Sequence, residues 1–266
     1  MFRISDDEIL DENLLSEFLT KHAAEVEVKY KPLMDAYMTD YPIFHNPPKP
    51  KYKPDNRIAV NFAKYIVDTM NGFFLGNPIK LQCDDEKVAA YLELLDQYND
   101  MDDSNAELSK ICSIYGLGYE MYYVDDFGQI GITYLDPIDA FMIYDDSVLE
   151  NPRYFVRTYI DSDNVLHGSI SDKERVRYFV LKGQIQFLDD YERIHGFDDV
   201  PATEYRENAE CQSIFGPSLS MINAYNKAIS EKANDVDYFA DAYLKVLGTF
   251  LDEKEIAHIR DDRVIN

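Results

Sequence analysis

From Ser213 to Leu247 the chain reads SIFGPSLSMINAYNKAISEKANDVDYFADAYLKVL, with no proline or glycine after Pro217. A run of that length without a breaker folds as one long helix. Its apolar residues Ile222, Tyr225, Ile229, Ala233, Val236, Ala240 and Tyr243 stand three or four positions apart, which gathers them in one stripe near the coiled-coil period. The flanks carry Asn223, Asn226, Lys227, Ser230, Glu231, Asn234, Asp235, Asp237 and Asp241. A helix buried in its own domain usually needs a wider apolar face. Two readings follow: the edge of an ordinary core, or a seam for oligomerisation with copies of itself or one other helix. The 23 residues after Tyr243 supply no evident partner helix, so the expectation is an assembly element separated from its second half.

Upstream, Ser5-x-x-Glu8 is a capping box for a helix through Leu10, Leu14 and Phe18 towards Tyr37. Tyr41–Pro54 holds five prolines and excludes both helix and central strand. It reads as an extended arm, although Lys49, Lys51, Tyr52 and Lys53 interleave basic and aromatic residues in a way that suits nucleic acid. Asn56 is expected to cap a helix from Arg57 to about Leu75, stopped by Gly76-Asn77-Pro78. A short strand is expected at Ile79–Cys83. Asp84 or Asp85 then caps a helix bearing Val88, Tyr91, Leu92 and Leu95, and Ser104-x-x-Glu107 caps another that stops at Gly116.

From Tyr119 to Asp190 the apolar period falls to two. Strands are expected at Glu120–Val124, Gln129–Leu135, Phe141–Tyr144, Tyr154–Ile160, Val165–Ile170, Val176–Leu181 and Gln184–Leu188. The fold class is therefore α+β, with N-terminal helices, a mostly antiparallel sheet of about six strands and a long C-terminal stem-like helix. The expected segments are 1–54 (helix and Pro-rich arm), 55–212 (α+β body), 213–243 (long helix) and 244–266 (a truncated terminal piece).

The chain carries 26 Lys and Arg against 50 Asp and Glu, a net charge of −24. Tight DNA binding concentrates basic residues to displace counterions from phosphates, so acid spread over the whole chain argues against a specific grip on DNA. The same acid also keeps a protein soluble. Cys83, Cys112 and Cys211 are odd in number and far apart, which suggests neither a disulfide framework nor a zinc site. No signal peptide and no membrane span are legible, and a reducing cytoplasm is the expected setting.

Catalytic patterns are sparse. Ile143-Tyr144-Asp145-Asp146 is like the Tyr-x-Asp-Asp hairpin of reverse transcriptases, whose paired aspartates hold two Mg²⁺ ions, with Asp136 or Asp139 as a third carboxylate. Asp136-Pro137 reads as a turn, however, and a basic substrate channel is lacking. His22, His45, His167, His195 and His258 have no metal-ligand spacing. No phosphate-binding loop or nucleophile elbow occurs, and Gly116-Leu117-Gly118 lacks the third glycine of a dinucleotide loop. The expectation is no enzyme, with no catalytic, cofactor-binding or metal residues and no cofactor.

Five segments read DNRIAVNFAKYIVDTMNGFFLGNPIKLQ from Asp55, ELSKICSIYGLGYEMYYVDDFGQI from Glu107, YLDPIDAFMIYDDSVLENPRYFVRTY from Tyr134, VPATEYRENAE from Val200, and AYNKAISEKANDVDYFADAYLKVLG from Ala224. Together they resemble segments of the portal proteins of tailed, siphovirus-type bacteriophages. They occur in family order from about Asp55 to Asn266. The resemblance implies a subunit of a ring, commonly of twelve, at one vertex of the phage head. Such rings nucleate capsid assembly with capsid or scaffold proteins, dock the packaging ATPase (the large terminase), pass double-stranded DNA without specific binding, and receive head-completion connector proteins. It implies that Ala23–Gln212 is mainly wing, Ser213–Tyr243 the first stem helix and Leu244–Asn266 the start of the clip. The second stem helix, tunnel helix and crown of the family are not represented, which leaves a prophage remnant open. Implied locations are the virion portal vertex and, during assembly, the host bacterial cytoplasm. The rival classes are an acidic protein-binding module, such as a DNA mimic, and a metal-dependent phosphotransferase.

Overall fold

The computed structural model describes residues 2–5, 7–51, 53–188, 191–240, 244–245 and 264–265. The chain packs as two units: Met1–Met38 with Ala63–Pro217, and Thr39–Phe62 with Ser218–Asn266.

The first unit begins with a strand that period counting did not show, β1 (Phe2–Ile4), which pairs parallel with β4 (Ala140–Asp145). Three residues are too few to display a period. Half of the Ser5–Glu8 box forms, Ser5 N donating to Glu8 Oε2 at 3.3 Å, but it closes a turn. The helix α1 (Glu12–Glu25) starts later, where Asp11 Oδ1 accepts from Leu14 N at 2.8 Å. A π turn, Val26–Tyr30, leads into α2 (Lys31–Tyr37); Pro32 has no N–H to give to the preceding turn, so the helical ladder widens there.

Three helices follow: α3 (Phe62–Phe74), α4 (Glu86–Asn99) and α5 (Met101–Tyr115). Asp85 caps α4 by accepting from Lys87 N at 2.8 Å and Val88 N at 3.2 Å. Gly116, at φ 91°, ends α5. Ser104 lies inside α5, its hydroxyl 3.1 Å from Asn99 O, and the helix opens at Asp100 instead. Residues 79–83 have no strand pairing.

The seven strands expected between Tyr119 and Asp190 all form, as β2 (Leu117–Val124), β3 (Ile130–Leu135), β4, β5 (Pro152–Ile160), β6 (Leu166–Ser171), β7 (Arg175–Lys182) and β8 (Gln184–Phe187). They divide between two sheets. The larger has the order β1-β4-β5-β6-β7-β8, with β9 (Arg193–Ile194) also on β7. The smaller, β10-β2-β3, recruits β10 (Ala202–Arg206) from the segment before the long helix.

Every residue of β4 is buried because both faces are covered. Phe141 and Ile143 join Leu15 and Phe18 of α1 in one core, while Ala140, Met142 and Tyr144 meet Leu117, Tyr119 and Ala202 of the smaller sheet in another. On the far side of the smaller sheet lies α5, and Gly118 lets it close in. A Cβ there would stand 2.9 Å from Ile111 Cγ2 and 3.1 Å from Leu108 Cδ1. The first unit is thus layered as helix, sheet, sheet, helix.

The second unit consists of the arm, with a 3₁₀ turn at Pro42–His45, and α6 (Leu219–Ala240). A parallel pair of short strands, β11 (Leu244–Lys245) with β12 (Val264–Ile265), completes its described part.

Candidate functional site on the long helix

The segment expected to be the first two turns of α3 is extended, because α6 takes its amides. Asn56 N donates to Asn234 Oδ1 at 2.6 Å, Ile58 N to Ser230 Oγ at 2.9 Å and Val60 N to Asn226 Oδ1 at 2.9 Å. The Ser230 hydroxyl is also 3.0 Å from Ile58 O. The spacing explains the fit. Two extended residues advance roughly 6.6 Å and four helical residues roughly 6 Å, so alternate amides meet every fourth helix position, antiparallel. Each four-residue step also turns about 40° around the helix, which limits such a ladder to a few rungs. At its outer edge, Asn56 Nδ2 donates to Asp237 Oδ2 at 2.5 Å and Lys49 pairs with Glu231 at 2.9 Å. Phe62 sets its ring edge-on to Tyr225 at 5.5 Å.

The consequence for α6 inverts part of the sequence picture. Asn226, Ser230 and Asn234, read there as polar flank, are 1%, 2% and 6% exposed. Of the stripe, Ile222 is buried, Ile229 and Ala233 are half-buried, and Tyr225 and Val236 are 47% and 61% exposed. Ala240 is the last residue of α6, and Tyr243 lies outside the described residues. Met221, Tyr238 and Phe239 add to the exposed apolar surface of the helix. The clamp residues had a signal in the sequence, Asn-x-x-x-Ser-x-x-x-Asn, which is a stripe of small polar groups in its own right. Asn226 Nδ2 and Asn223 Oδ1 are buried without a partner among the described residues.

In the first unit, the Tyr-Asp-Asp segment has a local role. Asp145 Oδ1 accepts from Ser147 N, Ser147 Oγ and Asn151 N at 3.2, 2.7 and 2.9 Å, and Oδ2 accepts from Asn151 Nδ2 at 2.9 Å. Those bonds, from Asn151 first and then Ser147, hold the carboxyl below its ordinary range. Asp145 therefore organises the β4–β5 loop. Asp136 Oδ1 caps the Asp-Pro turn through Ile138 N at 3.0 Å, and burial raises both it and Asp139. The described histidines are engaged as well: His22 with Pro137 O, His45 with Asp40, His167 with Asp161 and His195 with Asp172 O. Among the described residues, no three His, Cys, Asp or Glu side chains gather as a metal set.

An α+β unit and a long helix with an apolar stripe are the elements that the segment resemblance implies. The family model for phage portal proteins of the SPP1 Gp6-like kind matches residues 16–266. The chain belongs to that family. It is a structural protein of the phage portal, and the family places it with the capsid and virion. No curated protein matches the chain. Among the described residues of this portal protein, no helix is long and apolar enough to cross a membrane.

Proposed function

We propose that the chain is a ring-forming portal subunit through which double-stranded DNA enters and leaves the phage head, with α6 as its stem helix. The observation that carries this reading is the family match over residues 16–266, joined to an α6 surface on which Tyr225, Val236, Tyr238 and Phe239 remain open. A ring needs heterologous contacts whose rotation closes, and exposed aromatic and aliphatic groups on one helix supply such a contact. The buried face of α6 is occupied by its own arm, so the open face is what it offers to a neighbour. A subunit with net charge −24 also repels phosphate weakly, which favours a duplex that slides over one that is held. Ring size near twelve, docking of the packaging ATPase, connector binding and assembly in the host cytoplasm belong to the same proposal.

The test is the mass of the purified protein by light scattering behind a sizing column. A species near twelve or thirteen subunits, lost in the double variant Ile229→Asp/Val236→Asp, is the expected result. An oligomer that survives those two substitutions removes α6 from the contact, and a monomer at every concentration and salt counts against ring formation by this chain.

A further inference from the structure

The helix α3 is open to solvent on more than one side. Ala63 and Val67 are the residues it buries, whereas Tyr65, Phe73 and Phe74 are 67%, 87% and 67% exposed. It is tied to α2 by a polar triad: Lys64 Nζ lies 2.9 Å from Asp68 Oδ2 and donates to Tyr37 Oη at 3.0 Å, and Tyr37 donates to Asp68 Oδ1 at 2.9 Å. The extended residues that follow present Ile79 and Leu81, 52% and 64% exposed. Where α3 ends, Met70, Phe74 and Ile79 wall a groove of about 440 Å³, backed by Leu108 and Cys112 of α5. A helix apolar around most of its circumference is normally covered, and an apolar patch of several hundred Å² marks an interaction surface.

Area and charge indicate what covers it. Taking roughly 200 Å² for a fully open aromatic side chain and somewhat less for an aliphatic one, Phe73, Phe74, Ile79 and Leu81, at the end of α3 and just beyond it, together leave on the order of 500 Å² open. That is most of the ~800 Å² that each partner contributes to a stable interface. Between Ala63 and Cys83 there are two lysines and one aspartate, a local charge of +1 in a chain of −24. Two acidic copies repel each other over most approaches; here they meet through apolar groups without that penalty. A basic partner would instead be drawn to the acid-rich surfaces.

We propose that the face made by α3 and residues 75–83 is where one copy of this chain packs against the next. The inference rests on the ring reading above and assigns that ring a second contact, distinct from α6.

The chain supplies its own reporter, because Cys83 is exposed at the end of this segment while Cys112 is buried and Cys211 half-buried. The experiment uses the full chain and its Phe73→Glu/Leu81→Glu variant, with light scattering for mass and iodoacetamide labelling of Cys83 read by mass spectrometry. Both substituted side chains are mostly exposed, so the variant retains its fold by circular dichroism. The expected result is loss of the oligomer in the variant, with Cys83 of the wild type reactive when dilute and protected when assembled. A variant that assembles like the wild type, or a Cys83 equally reactive in oligomer and monomer, overturns this contact and leaves the ring reading standing. A Cys83 protected in the monomer overturns it in favour of cover from within the chain. A wild type that is monomeric under all conditions overturns both.

Discussion

The ladder between α6 and the extended segment is most sharply probed by Ser230→Ala. The hydroxyl is the acceptor for Ile58 N at 2.9 Å, and its single proton lies between Asn226 O at 2.8 Å and Ile58 O at 3.0 Å, so its removal leaves the Ile58 N–H unpaired and takes a shared donor from the two carbonyls. An unsatisfied buried group costs about 1–3 kcal/mol. Ile58 is itself 40% exposed, so water recovers part of that and the lower end applies. Alanine returns about 0.5 kcal/mol through its better helix propensity. The net effect is a local loss on the order of 1 kcal/mol, which makes opening of the segment roughly fivefold more frequent. Native-state hydrogen exchange reads this at one amide. Ile58 should exchange about fivefold faster, with smaller changes at Asn56 and Val60, whose acceptors Asn234 and Asn226 are intact. Lys232→Ala, at an exposed position of α6, is the control and should leave all three amides unchanged. An Ile58 amide that exchanges at the wild-type rate in Ser230→Ala would refute the ladder as the reason this segment is extended.

Other perturbations test the first unit. His22 is buried with Nε2 2.8 Å from Pro137 O, and burial lowers its pKa despite opposing contributions from that bond and from Glu25 and Asp136. The unfolded chain takes up this proton below about pH 6.5 while the native state resists it, so the stabilisation is complete above that pH and fades as the pH falls. The melting-temperature advantage of the wild type over His22→Gln should narrow from pH 7.5 to 5.5; a constant gap contradicts this. At Gly168 a Cβ would stand 2.2 Å from Phe179 Cζ and 2.6 Å from Arg157 O, whereas at Gly72 it meets nothing within 4 Å. Gly168→Ala should therefore destabilise by about 3 kcal/mol and Gly72→Ala stabilise α3 by up to about 1 kcal/mol, both read by denaturant titration. Burial pushes the Cys112 thiol up to about 12, with Glu207 and Glu204 adding to it, so at pH 8 it should alkylate far more slowly than the exposed Cys83. If the oligomer is limited by subunit repulsion, it should be more populated at ~500 mM than at ~20 mM NaCl, where the Debye length is several times longer.

Much of this chain is legible in the order of its residues. The alternation through Tyr119–Leu188 yields all seven expected strands within a residue or two at most ends apart from the early start of β2, because strands buried on one or both faces impose their period on the sequence. Asp85 and Gly116 mark helix ends through bonds and a dihedral angle that are local to them. The long helix is equally plain, since it needs only a run without breakers. The segments that resemble portal proteins likewise lie in order along the chain. What the tertiary structure decided is where distant groups share hydrogen bonds. Whether Asn56–Asn61 is helix or extended depends on acceptors some 170 residues away in Asn226, Ser230 and Asn234, and no local propensity records them. The division of the strands into two sheets rests on Ala202–Arg206 and Phe2–Ile4, each too short to declare itself until it meets a neighbour. Period and capping are written within a few residues, while a backbone amide takes whichever acceptor the folded chain brings to it.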